Sequence, residues 1–133
     1  MDKRVLILCT GNSCRSIIAE ALINAELDGI SADSSGVKAS GRVNPNAKKV
    51  LEEAGIWKDV YHSKTIDTVR DNDYDLVVTV CDNAKETCPV FPKAVKTLHI
   101  SFEDPDGKEY GAFKETLKEI RETLLPEVKK ALT

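Results

Sequence analysis

Apolar residues fall along this chain in two rhythms. Arg4 to Leu8 contains the unbroken run Val5-Leu6-Ile7-Leu8, which predicts a short parallel strand buried on both faces. Leu76 to Val80 is a second buried-strand candidate and Val95 to Ile100 a third. Elsewhere the spacing is helical. Ile17, Ile18, Ala21, Leu22 and Ala25 share one side of a helix opening near Arg15 or Ser16. Asn44-Pro45 reads as an N-cap followed by proline at the first helical position, with Val50, Leu51 and Ala54 as the apolar face and Gly55 as the stop. The last helix is predicted from about Ala112, with Phe113, Leu117, Ile120, Leu124 and Val128 as its stripe. Pro126 interrupts that stripe and should kink or locally loosen it.

Strands alternating with helices predict an α/β fold, a sheet covered on both faces. In such sheets ligands bind beyond the carboxyl ends of the strands. The residues just past the three candidate strands are Cys9, Cys81 and the segment Ser101 to Pro105, which contains Asp104. A nucleophile, a second thiol and a carboxylate are thus expected on one rim.

Composition narrows the class. The 133 residues show no repeat or linker and are expected to form one domain, 1–133. Apolar and charged contents of 41% and 31% describe an ordinary folded chain, neither disordered nor membrane-spanning. A net charge of −3, with both signs mixed, argues against nucleic-acid or membrane-surface binding. Any anion must therefore be captured by a local device. The apolar run after Met1-Asp2-Lys3-Arg4 is too short for a signal peptide, so a cytoplasmic location is expected. Thiols are kept reduced there, and four cysteines then suggest redox chemistry or metal binding before structural bridges. Of these, metal is disfavoured. The cysteine spacings do not resemble paired zinc ligands, and His62 and His99 lack matching partners, so no metal site is expected.

The sharpest local device is Cys9-Thr10-Gly11-Asn12-Ser13-Cys14-Arg15-Ser16, a C-x5-R loop followed by serine between a strand and a helix. That length lets successive backbone N–H groups turn inward as a nest for a tetrahedral oxyanion. The helix N-terminus adds partial positive charge, and Arg15 can close the ring as a bidentate clamp. A thiol in such a field favours its thiolate. Taken alone, Cys9 would read first as a small buried hydrophobe at a strand end; the complete strand–C-x5-R-S–helix context favours the nucleophile. Cys14 reads as a spectator whose backbone N–H serves the loop while its sulfur does not.

Leu8 to Ser16 resembles the signature of the low-molecular-weight tyrosine phosphatase superfamily, and C-T-G-N-S-C-R-S is most similar to its thioredoxin-coupled arsenate reductase branch. Ser34-Ser35-Gly36, Asn44-Pro45, His62-Ser63, Leu76 to Thr79, Cys81 and Asp104-Pro105 recur in the family's order, so the resemblance covers nearly the whole chain. It implies a four-stranded parallel sheet with helices on both faces, and a monomer. It also implies that Asn12 holds the loop's shape, that Ser16 stabilises the Cys9 thiolate, and that Asp104, in the acid loop, protonates the departing oxygen.

Cys81 and Cys88 separate the two branches. On a helix their Cα atoms would stand roughly 10 Å apart, beyond the ~4.4–6.8 Å a disulfide tolerates, so pairing requires the segment between them to unwind. By resemblance, Cys9 attacks arsenate, Cys81 attacks Cys9 to release arsenite, and Cys88 takes over the disulfide for reduction by thioredoxin. No bound organic cofactor is implied. A buried or structural pair remains the plainer reading of the two cysteines. A phosphatase for phosphotyrosine or aryl phosphates would use Cys9, Arg15 and Asp104 alone. Such relatives usually carry tyrosines around the acid loop, where this chain has Asp106-Gly107. A thiol-based sensing module is the non-enzymatic alternative.

Overall fold

A computed structural model describes residues 3–36, 38–69, 72–80 and 95–132 of the chain. Among them, strands β1 (Lys3–Cys9), β2 (Ile30–Gly36), β3 (Leu76–Thr79) and β4 (Thr97–His99) form one parallel sheet in the order β2-β1-β3-β4. Helices α1 (Arg15–Glu26), α2 (Pro45–Glu53), α3 (Tyr110–Glu119) and α4 (Leu125–Ala131) accompany it, with a 3-10 turn at Ile66–Thr68. No helix among the described residues is long and apolar enough to cross a membrane.

The continuous apolar run of β1 has the position it calls for, next to the centre of the sheet, with Val5 to Cys9 all buried. Its alternate side chains enter two cores. Val5 and Ile7 join Ile17, Ile18, Leu22, Leu51, Phe113 and Ile120 in the larger one, which takes in all four α-helices. Leu6 and Leu8 pack with Val69 and Val77 on the other face, flanked by Ile66 of the 3-10 turn, Tyr74 and Val95. Helical elements thus cover both faces. Each such leucine or isoleucine, fully withdrawn from water, contributes about 1.5–3 kcal/mol.

The second helix begins and ends as its sequence predicts. Asn44 Oδ1 accepts the Asn46 N–H at 2.8 Å, and Pro45 occupies the first turn. At the other end Gly55 lies at φ 76°, with the Ile56 N–H on the Leu51 carbonyl and the Gly55 N–H on that of Glu52. These paired bonds satisfy carbonyls the helix leaves open.

Three details differ from the sequence expectation. β2 carries no apolar run, since ISADSSG buries Ser34 and Ser35 instead. β4 is shorter than Val95–Ile100 and mostly exposed, as suits an edge strand. The last helix starts at Tyr110, and the loosening around Pro126 takes the form of a π-helical stretch, Ile120–Leu124, ahead of it. Proline lacks an N–H and its ring crowds the carbonyl four residues back, so a wider turn there lets the helix continue.

Candidate functional site

β1 ends at Cys9 and α1 starts at Arg15, so residues 10–14 must curl between a strand end and a helix N-terminus. Their carbonyls face outward and are taken by the surroundings. Thr10 O accepts from Lys38 N–H at 3.0 Å, Gly11 O from Ser40 N–H at 2.9 Å, and Ser13 O from Asn44 N–H at 3.0 Å. Gly11 O also accepts the Ser63 hydroxyl at 3.2 Å. In a planar trans peptide the N–H opposes the carbonyl, so the amides of Gly11, Asn12 and Cys14 point to the inner side. Helix α1 has no side-chain cap at Cys14 and no acidic residue in its first turn. Its N-terminal partial charge is therefore not spent on a local carboxylate.

Asn12 is the hub of the loop. It sits at φ 48°, a left-handed conformation that asparagine tolerates better than most residues. Its Nδ2 donates to Ser16 Oγ at 2.8 Å and to Ser34 Oγ at 2.9 Å, and its Oδ1 accepts the Lys64 N–H at 2.8 Å. Ser34 Oγ donates onward to Glu20 Oε1 at 2.6 Å. Asn12, Ser16, Ser34 and Glu20 are all buried. One side chain thus ties the loop to α1, to β2 and to the segment before the 3-10 turn.

Gly36 closes the loop from below. It pairs with Cys9 in the sheet, and a Cβ built there would lie 2.4 Å from the Thr10 carbonyl oxygen and 3.0 Å from that of Cys9. Gly36→Ala is expected to push the loop backbone aside, costing about 1–3 kcal/mol of stability and weakening oxyanion binding. Urea denaturation and phosphate titration of the variant check this, and a wild-type phosphate affinity would contradict it.

Glu20 supplies a pH dependence. Burial pushes its carboxyl up to about 7 from an ordinary 4.5, Asp33 adds to the rise, and the Lys64 charge and the Ser34 bond oppose it. Between those values the folded chain keeps a proton that the unfolded chain has released, so stability falls as pH rises through that window. The expected slope is up to about 1.4 kcal/mol per pH unit. Denaturation at about pH 5 and about pH 8 should show the fall in the wild type and a shallower one in Glu20→Gln. Equal slopes would contradict it.

Cys9, Thr10, Gly11, Asn12, Ser13, Cys14 and Arg15 line a cavity of about 300 Å³ together with Ser40, Asp104 and Asp106. Arg15 is buried, with Nη1 donating to the Phe102 carbonyl at 3.1 Å and Nη2 3.6 Å from Asp104 Oδ2. The residues past β1 and β4 therefore do converge. Burial pushes the Cys14 thiol up to about 12; Asp104 and Asp106 act in the same direction, while a Ser13 hydrogen bond and the Arg15 charge oppose it. The shift favours the thiol over the thiolate at that sulfur. Cys81 and Cys88 lie outside the described residues. Ser40, Asp106, Ser63 and the Lys64 amide were not singled out as site residues by sequence. Their only signal is proximity to recognised segments, Asp106 lying two residues after Asp104 and Ser63 following His62.

The family model for low molecular weight phosphotyrosine protein phosphatase matches residues 4–132. The chain belongs to that family. It is 44% identical over 123 residues to an arsenate reductase of Bacillus cereus (strain 03BB102), covering 92% of this chain and 91% of the relative. Among solved structures it is similar to an arsenate reductase from Archaeoglobus fulgidus, with TM-score 0.84, 37% identity, and 94% and 98% of the two chains covered. It also resembles a low molecular weight protein tyrosine phosphatase from T. tengcongensis, with TM-score 0.80 and 26% identity over 97% and 99%. The family loop and fold thus serve proteins named for two activities.

Proposed function

We propose that the chain is an arsenate reductase, with Cys9 as nucleophile and a Cys9/Cys81/Cys88 relay re-reduced by thioredoxin. The observation that carries this reading is the lining of the cavity. Among the described residues it consists of small polar side chains, two thiols, two carboxylates and one guanidinium, with no aromatic ring to grip an aryl ester. That suits a small tetrahedral oxyanion. The name of the B. cereus relative supports the reduction rather than hydrolysis of that anion.

The geometry of the loop supports the first step, and thiol chemistry together with the family resemblance suggests the rest. The inward amides of Gly11, Asn12 and Cys14, the N-terminus of α1 and the Arg15 guanidinium hold three arsenate oxygens. The Cys9 thiolate attacks arsenic, and the fourth oxygen leaves as water with a proton from Asp104. Cys81 then attacks the Cys9 sulfur. An S–S bond forms, the S–As bond breaks, and its electron pair stays on arsenic, which departs as arsenite. Cys88 attacks Cys81, returning Cys9 as thiolate, and a thioredoxin dithiol reduces the Cys81–Cys88 disulfide. Cys14 takes no covalent part. This chemistry belongs to a reducing cytoplasm and to a monomer folded as one domain over 1–133.

The decisive assay is arsenate-dependent NADPH consumption in the presence of thioredoxin and its reductase. Sustained turnover is expected. Stoichiometric oxidation without turnover would point to a sensor. No consumption together with brisk hydrolysis of aryl phosphates would point to the phosphatase reading, which the shared loop supports.

A further inference from the structure

Asn44 does more than cap α2. Its backbone N–H holds the Ser13 carbonyl at 3.0 Å, its Oδ1 caps the helix through Asn46 N–H, and its Nδ2 donates to Asp106 Oδ1 at 2.7 Å. Asp106 in turn donates its backbone N–H to Asp104 Oδ1 at 3.0 Å, and Asp104 Oδ2 faces Arg15 Nη2 at 3.6 Å. The contacts run in series from the wall of the oxyanion loop, across the cavity mouth, to the carboxylate and back to the loop's own arginine. A tight turn, with Lys108 N–H on the Pro105 carbonyl and Gly107 at φ 82°, presents Asp106 to Asn44.

We propose that Asn44 and Asp106 form a latch that fixes the acid loop in its working position over the cavity, making both of them positioning residues for Asp104. The inference rests on Asp104 being the proton donor of the proposed function. An amide-to-carboxylate bond at an exposed site is individually weak, so the latch biases the position of the acid loop without locking it. The Asp106 carboxylate also needs the amide for another reason. Both Asp104 and Asp106 line an anion-binding cavity, and the Asn44 bond turns one oxygen of Asp106 toward the α2 terminus.

The donor sits on residue 44 and the acceptor on residue 106, so the pair can be reversed. Asn44→Asp keeps a good N-cap but sets two acceptors against each other. Combining it with Asp106→Asn restores one donor and one acceptor. Asn44→Ser, also a good cap, removes the donor without adding charge. The readout is the ratio of kcat/KM for an aryl phosphate with an activated leaving group to that for one with an unactivated leaving group, because kcat/KM reports the first displacement and only the second substrate needs the acid there. This ratio is expected to rise about 2–5-fold in Asn44→Asp and in Asn44→Ser, the size of effect one exposed bond carries, and to return toward wild type in the reversed pair. The added charge of Asn44→Asp acts on KM for both substrates alike and leaves the ratio untouched. Asp104→Asn sets the full size of the effect. If Asp104→Asn raises the ratio and the Asn44 variants do not, or if the reversed pair fails to restore it, the latch is wrong while the acid stands. If Asp104→Asn leaves the ratio unchanged, the reading of the acid falls and the latch falls with it.

Discussion

In a Cys88→Ser variant, thioredoxin-coupled arsenate turnover is expected to fall by at least about three orders of magnitude while aryl phosphate hydrolysis continues. The two activities share the first displacement at Cys9 and part company afterwards. Hydrolysis needs water at the next step, whereas reduction needs a second thiol to take the Cys9 sulfur. Without Cys88 the reaction should proceed once, release one equivalent of arsenite, and stop as a Cys9–Cys81 disulfide that thioredoxin cannot readily reach. Cys81→Ser should stop earlier, releasing no arsenite at all. Quenched-flow measurement of arsenite, followed by peptide mapping of disulfides, separates the two stages. Multiple turnovers in either variant would end the relay.

Arg15→Lys is expected to lower kcat/KM for arsenate and for aryl phosphates alike by about 100–1000-fold. The guanidinium is buried, anchored through Nη1 to the Phe102 carbonyl, and sits 3.6 Å from Asp104. One planar group therefore joins the oxyanion loop to the acid loop while presenting a fork to the anion. An ammonium is a point charge and cannot make a bidentate contact while holding a carbonyl. Part of the loss should appear as weaker inorganic phosphate binding, measurable by calorimetry. A variant with full phosphate affinity and full turnover would show that Arg15 is only structural.

How much of this could be read from residues differs from element to element. The β1 run and the α1 apolar residues announce themselves because both elements are buried almost throughout, β1 from Val5 to Cys9 and α1 from Arg15 to Ile23, and apolar side chains fill them apart from Arg15, Ser16 and Glu20. The C-x5-R loop is legible because its spacing between a strand and a helix is what an oxyanion nest requires. β2 is not, since its buried residues include Ser34 and Ser35, whose place depends on Asn12 and on the loop rather than on hydrophobicity. Gly36 is named by resemblance, but the reason for it, a Cβ meeting a loop carbonyl, exists only in three dimensions. Asn44 reads as a helix cap from its local sequence. Its bond to Asp106, 62 residues away, is invisible there. The four-stranded parallel sheet follows from the resemblance, and the described sheet has four parallel strands, whose order only the structure gives.

The three bonds of the Asn12 side chain have a consequence for selectivity inside a cell. A socket whose frame is fastened to three neighbouring segments sorts its guests by size and charge, and phosphate matches arsenate in both. In the proposed reaction phosphate is therefore expected to compete for the same seat. The sorting must come later, from a property the two ions do not share: pentavalent arsenic accepts two electrons from sulfur, and pentavalent phosphorus does not.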